Sequence, residues 1–141
     1  MSEENKALVR RMEEAWASNE LDALDEMFAP DFDNSATAFP GLPPGLEGAK
    51  LAHQGAMQSF PDRKTIIEEI LGDGDKVMLR GRFVGTNQGG VEFLGAPANG
   101  NPIDVSYVSV YTVRDGKIAA HWGLNDAAGL MQQLGVLPAP G

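Results

Sequence analysis

The sequence predicts an α+β domain, and three observations carry that expectation. Helical periodicity is confined to the first sixty residues and to a short segment near the end. Between residues 63 and 125 the apolar period changes to two, and two turn signals, "GDGD" (Gly72 to Asp75) and "RDG" (Arg114 to Gly116), separate strand-like runs. A chain of 141 residues is close to the common domain size, so a single domain spanning 1–141 is expected. Helices first and antiparallel strands afterwards place the helices on one face of a sheet. A sheet that curls can enclose a pocket between its concave face and those helices.

The elements follow in order. From Glu3 to about Ala17, Leu8, Met12, Ala15 and Trp16 recur at spacings of three and four, with Glu3 and Glu4 well placed in the first turn. That pattern is an amphipathic helix. "LDALDEMF" is a second, shorter helical pattern that must end near Pro30, because proline restricts the residue before it. Asp31 to Thr37 reads as extended, and "FPGLPPGLEG" as a loop. "AKLAHQGAMQSF" regains helical spacing through Leu51, Met57 and Phe60 and stops at Pro61. Strands are expected at about 63–71, 76–86, 101–113 and 117–125. A last helix should run from 126 to 134 and close at Gly135.

Composition narrows the function. Twenty acidic against eleven basic residues give a net charge of −9, which repels phosphate backbones and anionic lipid surfaces. The basic residues are scattered, so no nucleic-acid partner is expected. No apolar run is long enough to span a bilayer, and no membrane partner is expected either. The acidic start "MSEENKALVRRMEEAW" lacks the basic and apolar regions of a signal peptide, so a cytoplasmic location is expected. With no cysteine, disulfides, thiolate catalysis and cysteine-ligated metals are excluded. The glycines of "GTNQGG" lack the lysine and following helix of a phosphate loop and read as a bend.

Four pieces, in this order and at this spacing, carry a family likeness: "NKALVRRMEEAW", "LDALDEMFAPDFDN", "GTNQGGVEFLGAPANG" and "YTVRDGKIAAHWGLNDAAGLMQQLG". Together they resemble the SnoaL-like polyketide cyclase family nearly end to end. The resemblance implies a cone-shaped fold shared with nuclear transport factors and scytalone dehydratase. In it a curved antiparallel sheet and N-terminal helices surround an apolar cavity. It also implies a small apolar or aromatic substrate, no metal or organic cofactor, and a homodimer or larger homo-oligomer. The expected function is polyketide cyclase-type acid–base chemistry of the aldol kind on a polycyclic or aromatic ketone or ester. The alternatives are a non-catalytic binding or accessory protein and a related hydroxylase or dehydratase.

The chain departs from the cyclase pattern. The acid/base aspartate of those cyclases falls at Gly123, its histidine partner at Ser109, and histidines of many relatives at Ser35 and Asn87. The remaining candidates must be sorted by strand alternation, since residues two apart share a face. If Ser109 and Gly123 point inward, so do Tyr107, Tyr111, His121 and Asn125, whereas Trp122 and Leu124 point away. His121 is the leading catalytic candidate, because imidazole titrates near neutral pH; the plain alternative is a strand histidine bonded to a backbone carbonyl. Asp126 is the second and matches the family's H-W-x-x-x-D pattern. Directly before "AAGLMQQL", it is equally a good helix N-cap.

Asn34, Tyr107 and Ser109 are expected to bind substrate oxygens, with Asn125, Trp16 and Phe60 completing the binding set. Phe28, Phe39, Met57 and Phe83 are apolar enough to line a cavity, although such residues are usually plain core. His53, with no second ligand at metal-binding spacing, reads as surface or structural.

Overall fold

The computed structural model describes residues 2–34 and 41–138. Ser35, Thr37 and Phe39, which figure in the sequence reading, lie outside them. Helix α1 (Ser2–Ala17) forms where the three-and-four spacing demands it, and it buries Leu8, Val9, Met12 and Ala15. "LDALDEMF" is too short to repay the cost of starting an α-helix. It folds instead as a 3-10 turn, Leu21–Glu26, that buries Leu24. Strand β1 (Phe28–Asp33) therefore begins earlier than expected and contains Pro30. That proline is tolerated because β1 lies at the edge of the sheet, where one N–H is not needed.

Helix α2 (Gly45–Ser59) follows the Pro/Gly loop and ends at Phe60, just ahead of Pro61. Its inward face differs from the expected one: Leu51 is exposed, and the inward positions are Ala49, Ala52, His53 and Ala56. Both of its ends are held by close backbone contact. A Cβ on Gly48 would overlap the Pro43 carbonyl, and one on Gly89 would overlap the Gln58 carbonyl. Only glycine permits either approach.

The strands β2 (Lys64–Asp73), β3 (Lys76–Thr86), β4 (Pro102–Arg114) and β5 (Lys117–Asn125) lie close to the expected ranges. The β4–β5 hairpin turns through Asp115 and Gly116, both at positive φ (54° and 73°), the geometry that matches the twist of paired strands. Helix α3 (Ala127–Leu134) closes at Gly135 in the left-handed conformation.

The sheet order is β1-β5-β4-β3-β2. Four strands pair antiparallel, but β1 runs parallel to β5, so the curved sheet is mixed rather than wholly antiparallel. β1 reaches β5 across the sheet and not through a hairpin, so no local turn signal could report its direction.

The apolar interior falls into two clusters. One joins α1 to the sheet through Leu8, Val9, Met12, Leu24, Val77 and Ile118. The other gathers Phe60, Ile103, Val105 and Leu134 under α3. Between them, α1, α2 and the inner sheet face leave a cavity.

Candidate active site

The cavity has two lobes, of about 570 Å³ and about 270 Å³, that meet along Trp16, Ala49, Ala52 and His121. Strand register explains which side chains enter it. β4 and β5 pair Tyr107 with Asn125, Ser109 with Gly123 and Tyr111 with His121. Alternation puts one face of these pairs on the cavity. Tyr107, Ser109, Gly123 and Asn125 line the larger lobe, Tyr111 lines the smaller, and His121 reaches both. Trp122, on the opposite face, is 46% exposed.

His121 occupies the junction. Its Nε2 lies 2.9 Å from the buried Ser109 Oγ, and its ring stacks on Tyr111 with centroids 4.8 Å apart and an interplanar angle of 22°. A Cβ on Gly123 would stand 3.1 Å from His121 Nε2 and 3.2 Å from Cε1. The imidazole thus rests against a bare backbone, in the space that a side chain at position 123 would enter. Burial lowers its pKa to about 4, so the ring is neutral at neutral pH.

A second polar group walls the larger lobe, and the sequence reading passed over most of it. Glu13 on α1 accepts a hydrogen bond from Tyr111 Oη at 3.2 Å. Burial raises its pKa and so shifts the carboxyl toward its neutral form. Arg63 donates through Nη2 to His53 Nδ1 at 2.9 Å. Guanidinium can only donate, so His53 carries its proton on Nε2, which faces Asn19 Oδ1 at 3.2 Å. Burial and then the Arg63 charge lower the His53 pKa to about 4, which keeps it neutral. His53 is therefore no surface residue: it is buried, 4.9 Å from the Trp16 ring by centroids, and it lines the lobe. Among the described residues the buried Tyr107 Oη has no hydrogen-bond partner, and burial pushes its pKa well above the ordinary tyrosine value.

The signal for Glu13 was present in the sequence. Val9, Met12, Glu13 and Trp16 stand at i, i+3, i+4 and i+7, so Glu13 shares the apolar stripe of α1. Ala49, Ala52, His53 and Ala56 repeat that spacing on α2. Arg63, just after Pro61 and Asp62, has no comparable signal: it falls at the start of the expected 63–71 strand and directly precedes β2.

The other expected residues are dispersed. Trp16 lines both lobes and meets Phe28 edge-on at 6.4 Å. Asn34 lines the smaller lobe, but its amide also donates to Gly45 O at 3.2 Å and accepts from Gly45 N at 3.0 Å, which ties β1 to the start of α2. Asn125 lies on the exposed rim of the larger lobe. Phe60 packs in the cluster under α3 and lines neither lobe. Asp126 is exposed and caps α3, accepting from Gly129 N at 2.9 Å; it borders a separate recess with Tyr107 and Asn125. Asn87 binds Pro97 O and Gly90 N within its own loop. Among the described residues no group of three or more His, Asp or Glu could hold a metal. No helix among them is long and apolar enough to cross a membrane.

The family model for the SnoaL-like polyketide cyclases matches residues 6–134. The chain belongs to this family. Solved SnoaL-like folds agree with it over nearly their whole length. TsrD from Streptomyces laurentii is 27% identical, with 95% of this chain and 96% of that chain covered at a TM-score of 0.83. AclR, a proposed hydroxylase from Streptomyces galilaeus, is 26% identical, with 100% and 87% covered at 0.84. IdmH, a proposed polyketide cyclase from Streptomyces antibioticus, is 31% identical, with 93% and 98% covered at 0.77. A search of curated protein sequences gives no significant match. Within the SnoaL-like frame, His121 stands beside Gly123 and Ser109.

Proposed function

We propose that the protein is a cofactor-independent enzyme of the polyketide cyclase type, closing a ring by aldol-type acid–base chemistry on a polycyclic or aromatic ketone or ester. The observation that carries this reading is the neutral His121 imidazole at the junction of the two lobes, bonded to Ser109 and seated on Gly123. It brings an ionisable group back to the place where the family's aspartate would project.

In this scheme His121 removes a carbon-bound proton next to a carbonyl. The resulting enolate carbon attacks a second carbonyl of the folded chain, and the imidazolium returns the proton to the new alkoxide. Nothing is gained or lost, so the product is an isomer of the substrate. The cavity supports each step. The stacked Tyr111 face attracts the transient imidazolium, Ser109 orients the ring, and Trp16 and the α2 alanines give a flat ring system an apolar bed. Tyr107 contributes a hydroxyl to a substrate oxygen. Asn34 and Asn125 sit where they bind the substrate's edges, while Asp126, engaged as the α3 cap, stays outside the proton path.

The test is incubation with a panel of uncyclised fused-ring polyketide methyl esters, followed by chromatography with mass detection. A new isomer of unchanged mass, absent with His121→Ala, is the expected result. A product heavier by oxygen would indicate hydroxylation. The loss of the family's pair at Gly123 and Ser109 favours a second reading, a binding protein. Saturable uptake of esters recovered unchanged would establish it and overturn the enzyme.

A further inference from the structure

The larger lobe holds two donors with bonding capacity that the described residues do not fill. The guanidinium of Arg63 has five N–H donors, its one hydrogen bond is to a neutral histidine, and no carboxylate lies within ion-pairing distance of it among the described residues. Tyr107 lines the same lobe, and its buried hydroxyl has no hydrogen-bond partner among the described residues. Buried polar groups left unpaired are costly and rare, and those that persist ask for a ligand or an ordered water. Both groups donate, so the complementary ligand presents acceptor oxygens, and the half-buried Arg63 cation favours a charged acceptor.

We propose that Arg63 and Tyr107 form a carboxylate-binding site in the larger lobe, and that the aromatic ketone or ester taken by this cavity also carries a free carboxylate. This inference rests on the cavity being the substrate site, and it fixes one end of the substrate while His121 acts on another part. His53 and Asn19 hold the guanidinium in place: the fixed tautomer of His53 presents a lone pair to Arg63 and anchors its other nitrogen to Asn19. Glu13 is the nearest acid in the lobe. Its burial on the apolar stripe of α1 and its hydrogen bond from Tyr111 moderate its repulsion of an incoming anion. Apolar walls from Trp16 and Phe83 accept the rings.

Isothermal titration with a matched pair, 2-naphthoate and methyl 2-naphthoate, tests this without any need for turnover. The acid should bind more tightly than the ester by at least about tenfold, the scale of a charge-assisted pair. Arg63→Gln should erase that preference and leave ester binding within about twofold, because the apolar walls remain. Arg63→Lys, which keeps the charge but loses the planar fork, should retain part of it. Tyr107→Phe deletes an oxygen that makes no hydrogen bond to any described residue. It should weaken acid binding alone, and it decides the matter if Arg63→Gln does not fold. Equal binding of acid and ester, binding of neither, or a preference that survives both Arg63→Gln and Tyr107→Phe would overturn the site. A failure here leaves ring closure by His121 standing, and a failure of ring closure leaves the acid preference measurable.

Discussion

At position 123 a single hydrogen atom decides where an imidazole can lie. The His121 ring rests within van der Waals reach of the Gly123 backbone, and the Val108 carbonyl is 3.2 Å from where a Cβ would be. Gly123→Ala therefore has to move the ring or the strand by a few tenths of an ångström. We expect turnover to fall at least about tenfold, since small misplacements of a reacting group are expensive. The loss of thermal stability should be modest. NMR titration of His121 gives the separate readout, because a ring pushed away from Ser109 changes its pKa whereas a purely structural defect does not. The cavity-facing set of Tyr107, Ser109, Tyr111 and His121 was legible from alternation once the family resemblance had turned Ser109 and Gly123 inward. Phe60 and Arg63 were not: one looked like a wall and is core, the other looked like the first residue of a strand and is a wall. Both errors arise because a residue at the end of an element is oriented by tertiary packing and not by period.

At the scale of elements, the strands and the last helix were readable because their signals are local: a two-residue period, a turn with positive φ, an N-cap and a C-terminal glycine. The direction of β1 was not, since pairing Phe28 with Ile118 depends on contacts ninety residues apart. Helix α3 offers a clean test of the local reading. Asp126 accepts a hydrogen bond from Gly129 N, and the helix is only eight residues long. Asp126→Ala should destabilise the protein by about 1 kcal/mol, the usual worth of an N-cap, while Asp126→Asn should recover most of that. Chemical denaturation measures both. On the proposed proton path, turnover by Asp126→Asn should stay near that of the parent protein; a collapse of activity with stability intact would return Asp126 to the chemistry.

Over the whole molecule, two buried histidines tie folding to acidity. His53 and His121 both have their pKa lowered to about 4 in the folded state, against an ordinary value of 6.5. Between those values the unfolded chain binds more protons than the folded one, so stability is fully present above about pH 6.5 and is lost as pH falls toward 4. Glu13 works in the opposite sense, since its raised pKa lets the folded state take up a proton first as the medium is acidified. A comparison that cancels Glu13 isolates the histidine contribution. Melting temperatures of the parent and of His121→Asn, followed from pH 7.5 to 4, should converge as the pH drops, and parallel curves would contradict the assigned neutral state. The acidic surface, at net −9, repels anions at a distance; the half-buried Arg63 guanidinium of the proposed site is how such a molecule can still receive one.

The two glycines that lock the ends of α2 carry a consequence for how this protein chooses among molecules. Because Gly48 and Gly89 admit no slack, the helix that bears Ala49, Ala52 and Ala56 cannot back away from a bulky guest. Discrimination then works as a fixed gauge: whatever clears three methyl groups is admitted, and width is set by the smallest side chains on the wall. Exchanging one of those alanines should reset the gauge without disturbing the proton transfer proposed for His121, so selectivity and reactivity can drift independently.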